Sequence, residues 1–342
     1  MKILSIDTSC DETSAAVTDG TKILSNIIWS QASLHSKFGG VMPSLAQRMH
    51  EERIDFVVDK AMLNAKTQMI NLDAIAVTIG PGLSIALGVG VNKAKELAKK
   101  YNKKLIAVNH LEGHVLSPLA NDKLQMINAK FPALGLVLSG KNTQLIQVDK
   151  IGKYKILAET QDDALGEALD KAARMLGLGY PGGAIFEKMA KFGNPKKYKL
   201  PVPMVGQESR MMFSYSGLKT AMLRLVKSEE PLDKQKIYDL AACFQDVAFK
   251  HIERVLRFAI VNCKLKIGNL LVGGGVAANI EIRKRLRKLG KEFNIKVHFP
   301  YSRKLYGDNA GMIGIAASFK YQRGEFVDPE EIDRNPRARL NI

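Results

Sequence analysis

The hydrophobic and polar positions of this chain alternate first as strands and then as helices. Lys2 to Ile6 is apolar, Asp7 to Thr13 is polar, and Ser14 to Val17 is apolar again, which reads as strand, tight turn, strand. The pattern returns near the middle of the chain. Ala133 to Leu138 is apolar, Ser139-Gly140-Lys141-Asn142-Thr143 is a polar turn, and Gln144 to Val148 alternates as a strand should. Two related hairpins so far apart predict two lobes of similar core fold. After the first hairpin the periodicity predicts a helix over Val41 to Asn64, a buried strand over Leu72 to Ile79 and a Gly80-Pro81-Gly82 turn. A helix over Ser84 to Lys100 and a strand over Lys104 to Val108 follow. Strands alternating with helices give an α/β fold with crossover helices.

The second half reads as mostly helical. Helices are expected over Leu165 to Leu176, ending at Gly177, and over Ala184 to Lys191 after the Tyr180-Pro181-Gly182-Gly183 turn. Two more are expected over Ser216 to Val226 and Gln235 to Cys263. A short buried strand, Leu270 to Val272, leads into Gly273-Gly274-Gly275, and the last stretch reads as a tail.

Composition narrows the class. The chain has 342 residues, 46% of them hydrophobic and 25% charged, the balance of a soluble globular protein with room for two cores. The opening is too polar for a signal peptide, and no apolar run is long enough to span a bilayer. Cys10, Cys243 and Cys263 show no Cys-x-x-Cys spacing, which suits a reducing cytoplasm rather than a disulfide framework. The net charge of +17 favours a polyanionic partner, most plainly nucleic acid. Arg283 to Lys288, Lys99 to Lys104 and Lys196-Lys197-Tyr198-Lys199 are the basic clusters. Each can track phosphates or be a solvated helix end.

The candidate chemistry lies in Asn109-His110-Leu111-Glu112-Gly113-His114. On a helix, His110 and His114 share one face, and two imidazoles on one face make half of a transition-metal site. They follow a predicted strand, the usual edge of an α/β cleft. A bare pair at this spacing is also compatible with two ordinary helix histidines. A zinc protease needs His-Glu-x-x-His, and here Leu111 follows His110, which disfavours that chemistry. Asp308, in a Gly-containing turn before a helix start, is the candidate third ligand. The Gly273-Gly274-Gly275 loop follows a strand and opens a helix, so its backbone can approach a ligand at a positive helix end. It is not the dinucleotide fingerprint, because Ala278 stands at the last position, and no Walker A motif is present. Two polar hairpin turns with a later glycine loop match the plan of actin, sugar kinases and heat-shock chaperones.

Eight motifs in order carry a family resemblance. They are Asp7 to Thr13, Thr78 with Gly80-Pro81-Gly82-Leu83, Asn109 to His114, Gly166-Glu167-Ala168 with Asp170-Lys171, Gly179 to Gly183, Phe213 to Lys219, Gly273 to Asn279 and Asp308-Asn309. Together they closely resemble the TsaD family, also called Kae or Gcp, in its bacterial or organellar form, over about residues 2 to 320. That family makes N6-threonylcarbamoyladenosine in tRNA. The resemblance implies an actin-like (ASKHA, sugar-kinase-like) two-lobed α/β fold with a duplicated core and a central cleft. The expected division is residues 1–130, completed by 309–330, then 131–308, then a tail at 331–342.

The resemblance also implies one divalent metal ion, iron or zinc, on His110, His114 and Asp308. It implies threonylcarbamoyl-AMP at Leu136, Val137, Leu138, Ser139, Gly140, Asp170, Gly183, Glu187 and Asn279. Asp11 or Glu12 is the expected acceptor of the amine proton. The implied reaction moves threonylcarbamoyl from its AMP anhydride to N6 of adenosine 37, 3′ of the anticodon, in tRNAs reading codons that begin with A. The implied partners are tRNA, a paralogous TsaB-like subunit and a TsaE-like ATPase, with no membrane. The chain departs from the family pattern in four places: Lys141-Asn142 replaces Gly-His, Ser44 replaces a carboxylate, Tyr306-Gly307 precedes Asp308, and Ala184 replaces proline. The rival readings are an ATP-dependent kinase or ATPase of the same fold, which has no need of His110 and His114, and a catalytically weakened partner subunit.

Overall fold

In the computed structural model, which describes residues 1–121, 130–262 and 267–340, the apolar runs form the strands of two mixed sheets. The first sheet contains β1 (Lys2–Asp7), β2 (Glu12–Asp19), β3 (Lys22–Ser30), β4 (Ala74–Gly80) and β5 (Lys104–Asn109). Its order is β3-β2-β1-β4-β5. β1 and β2 form the expected hairpin, with Asp7 opposite Ser14 at its mouth. β4 runs parallel to β1 and to β5. The second sheet contains β6 (Ala133–Leu138), β7 (Thr143–Lys150), β8 (Lys153–Thr160), β9 (Met212–Phe213), β10 (Asn269–Gly273) and β11 (Lys296–His298), in the order β11-β10-β6-β7-β8-β9. Read from β8 to β11 it repeats the first sheet: β6 pairs antiparallel with β7 and parallel with β10. The core is therefore duplicated at the level of strand order.

The chain divides into two compact units. One comprises Met1–Ala129, Lys150–Tyr154 and His298–Ile342, the other Lys130–Asp149 and Lys155–Val297. The first division falls within one residue of the expected 130, whereas the second lies at 297/298 rather than 308 and Lys150–Tyr154 join the first unit. Asp308 belongs to the first unit, because the helix after it, Ala310–Gln322, packs on the first sheet, where Ser5 Oγ donates to the Ala310 carbonyl at 2.6 Å. The tail expected at 331–342 is instead packed over residues 331–340. Leu340 and Ile332 are buried, Asn335 N donates to the Ile79 carbonyl at 2.6 Å, and Gly82 N donates to the Pro336 carbonyl.

In the first unit both faces of the sheet are covered, so β1 and β2 are buried along nearly their whole length. The helices Pro43–Asn64 and Ser84–Lys100 supply Ile54, Val57, Val58, Val91, Ala94 and Leu97 to one core with Leu4, Ile6 and Val17. The first of them begins at Pro43, two residues later than the periodicity predicts. Proline suits a first helical position, where its missing N–H costs no bond. In the second unit the long helix Lys234–Asn262 covers the expected stretch, and Cys263 lies outside the described residues. Strands β3 and β8 were not anticipated from the pattern. Each is partly exposed along its length, which weakens the apolar signature. Among the described residues no helix is long and apolar enough to cross a membrane.

Candidate metal centre and nucleotide site

β5 delivers His110 directly into the helix His110–Leu116. Asn109 caps that helix, its Oδ1 accepting from Leu111 N at 2.8 Å and Glu112 N at 3.4 Å. The cap fixes the first turn, and the i, i+4 spacing then brings the rings of His110 and His114 together, centroids 4.7 Å apart and nearly perpendicular. Asp308 arrives from the turn before Ala310–Gln322, whose cap is the buried Asn309. Its Oδ1 lies 3.4 Å from His110 Nε2 and 3.2 Å from His114 Nε2.

Ligand atoms of His110, His114 and Asp308 all lie within 4.8 Å of one another. Both histidines are buried, and neither ring nitrogen of His114 has a hydrogen-bond partner. The 3.2 Å approach to Asp308 is thus contact without hydrogen-bond alignment. Ligands about 2.0–2.1 Å from a tetrahedral ion stand about 3.3–3.4 Å apart, and both histidine–carboxylate separations are close to that. The donor set and its orphaned nitrogens therefore fit a divalent transition metal.

Electrostatics point the same way. Burial works against a charged His110, yet Asp308 and Asp7 outweigh it and push its pKa up to about 10. Burial would raise Asp308, but the two imidazoles hold it well below the ordinary carboxylate range. Burial pulls His114 down against Asp308.

Three further residues shape this centre and were not singled out from the sequence. Asp7, fully buried, faces His110 Nδ1 across 3.8 Å, and its Oδ2 has no partner. That is the position of a carboxylate that orients a ligating imidazole. His50 reaches from the helix Pro43–Asn64 to the β1–β2 turn. Its Nε2 lies 3.1 Å from the Cys10 carbonyl and its Nδ1 2.8 Å from Thr13 Oγ1, which holds the turn carrying Asp11 and Glu12. Tyr154 donates to Glu112 Oε1 at 2.9 Å, so Glu112 is engaged away from the histidine pair. The turn of roughly 100° per helical residue accounts for that direction. Glu12 is half-buried. Burial, then Asp11, then Asp308, raise it well above the ordinary range. The structure thus brings Glu12 into the field of Asp308.

In the second unit, Asp170, Gly183, Glu187 and Asn279 form one connected network. Asp170 Oδ1 accepts from Gly182 N at 2.9 Å and Gly183 N at 2.8 Å, opening the helix Gly183–Ala190. Glu187, on that helix, accepts from Ile280 N at 2.7 Å, at the start of the helix Ile280–Glu292. Asn279 caps the same helix, accepting from Glu281 N at 2.9 Å, and donates from Nδ2 to Gln245 at 2.9 Å. Its amide is committed on both sides to protein groups.

The strand-end residues divide. Leu136, Val137 and Leu138 lie buried within the sheet, and Ser139 N closes its own turn on the Asn142 carbonyl at 2.8 Å. Of the five, Gly140 is the exposed one. Backbone donation from the whole stretch Leu136 to Gly140 is therefore narrowed to its end. Gly274, at φ +95°, presses against the Leu138 carbonyl where a Cβ would collide, so the glycine loop reaches the strand end only as glycine. Lys141 is exposed beside Gly140.

A duplicated α/β core with a two-histidine, one-carboxylate cluster in one unit and a glycine loop in the other defines an actin-like (ASKHA) protein with a candidate metal site. HypF of T. kodakarensis superposes with a TM-score of 0.59 at 15% identity, over 95% of this chain and 48% of that one. Component A of the (R)-2-hydroxyglutaryl-CoA dehydratase of Acidaminococcus fermentans gives 0.55 at 14%, over 94% and 99%. At such identities the likeness shows the fold. The family model "TsaD: tRNA N6-adenosine threonylcarbamoyltransferase" matches residues 22–315. A tRNA N6-adenosine threonylcarbamoyltransferase of Microcystis aeruginosa is 44% identical over 333 residues, 95% of this chain and 94% of the relative. The chain belongs to the tRNA N6-adenosine threonylcarbamoyltransferase family.

Proposed function

We propose that this chain transfers the threonylcarbamoyl group of threonylcarbamoyl-AMP to N6 of adenosine 37 in tRNAs reading codons that begin with A. The observation that carries the reading is the convergence of His110, His114 and Asp308 on one buried point within a chain of this family. In the reaction a bond forms between N6 and the carbamoyl carbon, the bond from that carbon to the phosphate oxygen breaks, and AMP leaves. The amine is a weak nucleophile because its lone pair is delocalised into the ring, so positioning is the main task.

His110, His114 and Asp308 hold one divalent ion, iron or zinc, whose donor set of two imidazoles and a carboxylate suits either. When bound, that ion supplies Lewis acidity toward the acyl or phosphate oxygen. Asp7 orients the His110 ring. Asp11 and Glu12 stand in the β1–β2 turn as acceptors of the amine proton. In the second unit Gly140 and the loop at Gly274 offer backbone to the adenylate, Asp170 holds Gly183 at its helix start, and Glu187 and Asn279 hold the start of Ile280–Glu292. Asp170 and Glu187 each have a second carboxylate oxygen to offer ribose hydroxyls. The chain works in the cytoplasm, with a TsaB-like paralogue and a TsaE-like ATPase as helpers.

The test is nucleoside analysis of an unmodified tRNA transcript incubated with threonylcarbamoyl-AMP and this chain, with and without the two helpers. The threonylcarbamoyl nucleoside is expected with wild type and is lost in the His110→Ala, His114→Ala double variant. A phosphorylated product from ATP and no modified nucleoside would favour the kinase reading instead.

A further inference from the structure

Lys188, Lys191, Lys196, Lys197 and Lys199 fall within twelve consecutive residues that contain no aspartate or glutamate. All five side chains are exposed, and among the described residues none pairs with a carboxylate. Lys171, Lys219, Arg257 and Arg285, elsewhere in this unit, each meet an acidic partner. A cluster of cations left without counter-charge is a surface whose partner is an anion.

The segment is anchored rather than loose. Asn194 N donates to Asp239 Oδ1 at 2.7 Å, Tyr198 N lies 3.3 Å from Cys243 Sγ, and Tyr198 donates its hydroxyl to Glu229 at 3.1 Å. All three anchors sit on long helices, so the lysines are presented on a fixed backbone. Among them Phe192 is 62% exposed, its ring 5.4 Å from that of Tyr238, over which the exposed Lys234 ammonium lies at 5.8 Å. An exposed Phe192 backed by the half-buried Tyr238 ring inside a field of lysines offers a stacking platform with phosphate-binding groups around it, the combination that unpaired nucleotides use. A lipid surface would draw in a single apolar side chain, whereas Phe192 is set against the Tyr238 ring, a stack that a base extends. The segment also continues directly from the helix Gly183–Ala190, which carries Gly183 and Glu187 of the nucleotide network.

We propose that residues 188–199, with Lys234 and Tyr238, form the surface on which the anticodon arm of the substrate tRNA lies, the phosphates along the lysines and one unstacked base on Phe192. The proposal rests on the function given above. Full-length protein carrying Lys196→Ala, Lys197→Ala and Lys199→Ala is expected to bind an unmodified tRNA transcript more weakly. Its slope of log affinity against log salt should be shallower by about 0.7–0.9 for each phosphate that the variant no longer neutralises. Phe192→Ala is expected to weaken binding about fivefold or more, with the salt slope unchanged. In steady-state assays both variants should raise KM for tRNA and leave KM for threonylcarbamoyl-AMP and metal content as in wild type. Thermal unfolding of both variants at the wild-type temperature is the check that the fold persists. Wild-type affinity and salt slope in the lysine variant would overturn the proposal. So would a variant that keeps tRNA affinity while losing binding to phosphatidylserine vesicles, which would mark a lipid-facing patch. A wild-type protein that binds no tRNA at all would instead overturn the functional reading, so the two failures are distinguishable.

Discussion

His114 Nε2 and Asp308 Oδ1 face each other at 3.2 Å inside the first unit, the ring nitrogen without a hydrogen-bond partner. A buried imidazole with neither ring nitrogen paired is costly unless a further group satisfies it. His114→Ala is therefore expected to remove stoichiometric metal, while the variant without metal unfolds at a temperature no lower than metal-free wild type. Elemental analysis and thermal scans with and without chelator check both halves. Asp7→Asn, which keeps the shape but weakens the orienting carboxylate beside His110, should reduce metal affinity about 10- to 100-fold without abolishing it. Full metal occupancy in the His114→Ala protein would remove the centre from this account.

Asn279 is expected to matter through the backbone it holds. Alanine there removes the cap of Ile280–Glu292 and leaves Gln245 without its partner. Loss of the cap alone costs about 0.5–2 kcal/mol, and an unsatisfied buried amide adds to it. Asn279→Ala should thus lose stability in urea denaturation and affinity for AMP in calorimetry together. Asn279→Asp keeps the capping oxygen and should retain most of the stability. An alanine variant that loses AMP affinity at wild-type stability would show instead that Asn279 contacts the nucleotide directly.

Gly80 shows why the packed segment near residue 335 could not be read in advance. Gly80 has φ +150°, and a Cβ there would strike the Asn335 carbonyl. Gly80→Ala should cost more than about 2 kcal/mol by combining backbone strain with that collision. Amide hydrogen exchange should accelerate at Gly82, which donates to Pro336, and at Asn335, which donates to Ile79. Unchanged exchange at both amides would mean that the segment is held elsewhere.

What the sequence made legible follows from which forces leave a side-chain signature. The hairpins β1–β2 and β6–β7 were legible because buried strands are written in apolar runs around polar turns. The pair His110 and His114 was legible because four residues is a helical period. Asp308 was reachable as a candidate but not its unit, since nothing local in Tyr306-Gly307-Asp308 says which sheet the following helix will cover. β3 and β8 escaped because their residues are half-exposed, although the Gly20 and Gly152 turns before them were a usable hairpin signal. The segment at 331–340 escaped because backbone groups of Asn335, Pro336 and Arg339 hold much of it, and backbone bonds have no residue code. Asp7 and His50 were visible as residues, but their roles depend on contacts made far along the chain.

His251 makes the stability of the second unit depend on pH. It is buried between Phe213 and Tyr215, ring centroids 5.7 and 5.6 Å away, and its Nε2 accepts from Ser214 N at 3.2 Å. A ring nitrogen that accepts must be unprotonated. Burial lowers its pKa to about 4, against a smaller upward pull from Asp162. In the unfolded chain a histidine titrates near 6.5. Above that value neither state carries the proton, and the contribution to stability is whole. Between about 6.5 and 4 the unfolded chain takes up a proton that the folded one refuses, so stability falls by at most about 1.4 kcal/mol per pH unit as the pH drops. Below about 4 both states are protonated, and this group causes no further loss. His251→Gln, which keeps an acceptor facing Ser214 without a titrating ring, should flatten the fall in unfolding free energy between pH 6.5 and 4, measured by urea denaturation against wild type. A ring resonance of His251 that titrates near 6.5 in the folded protein by NMR would refute the burial argument directly.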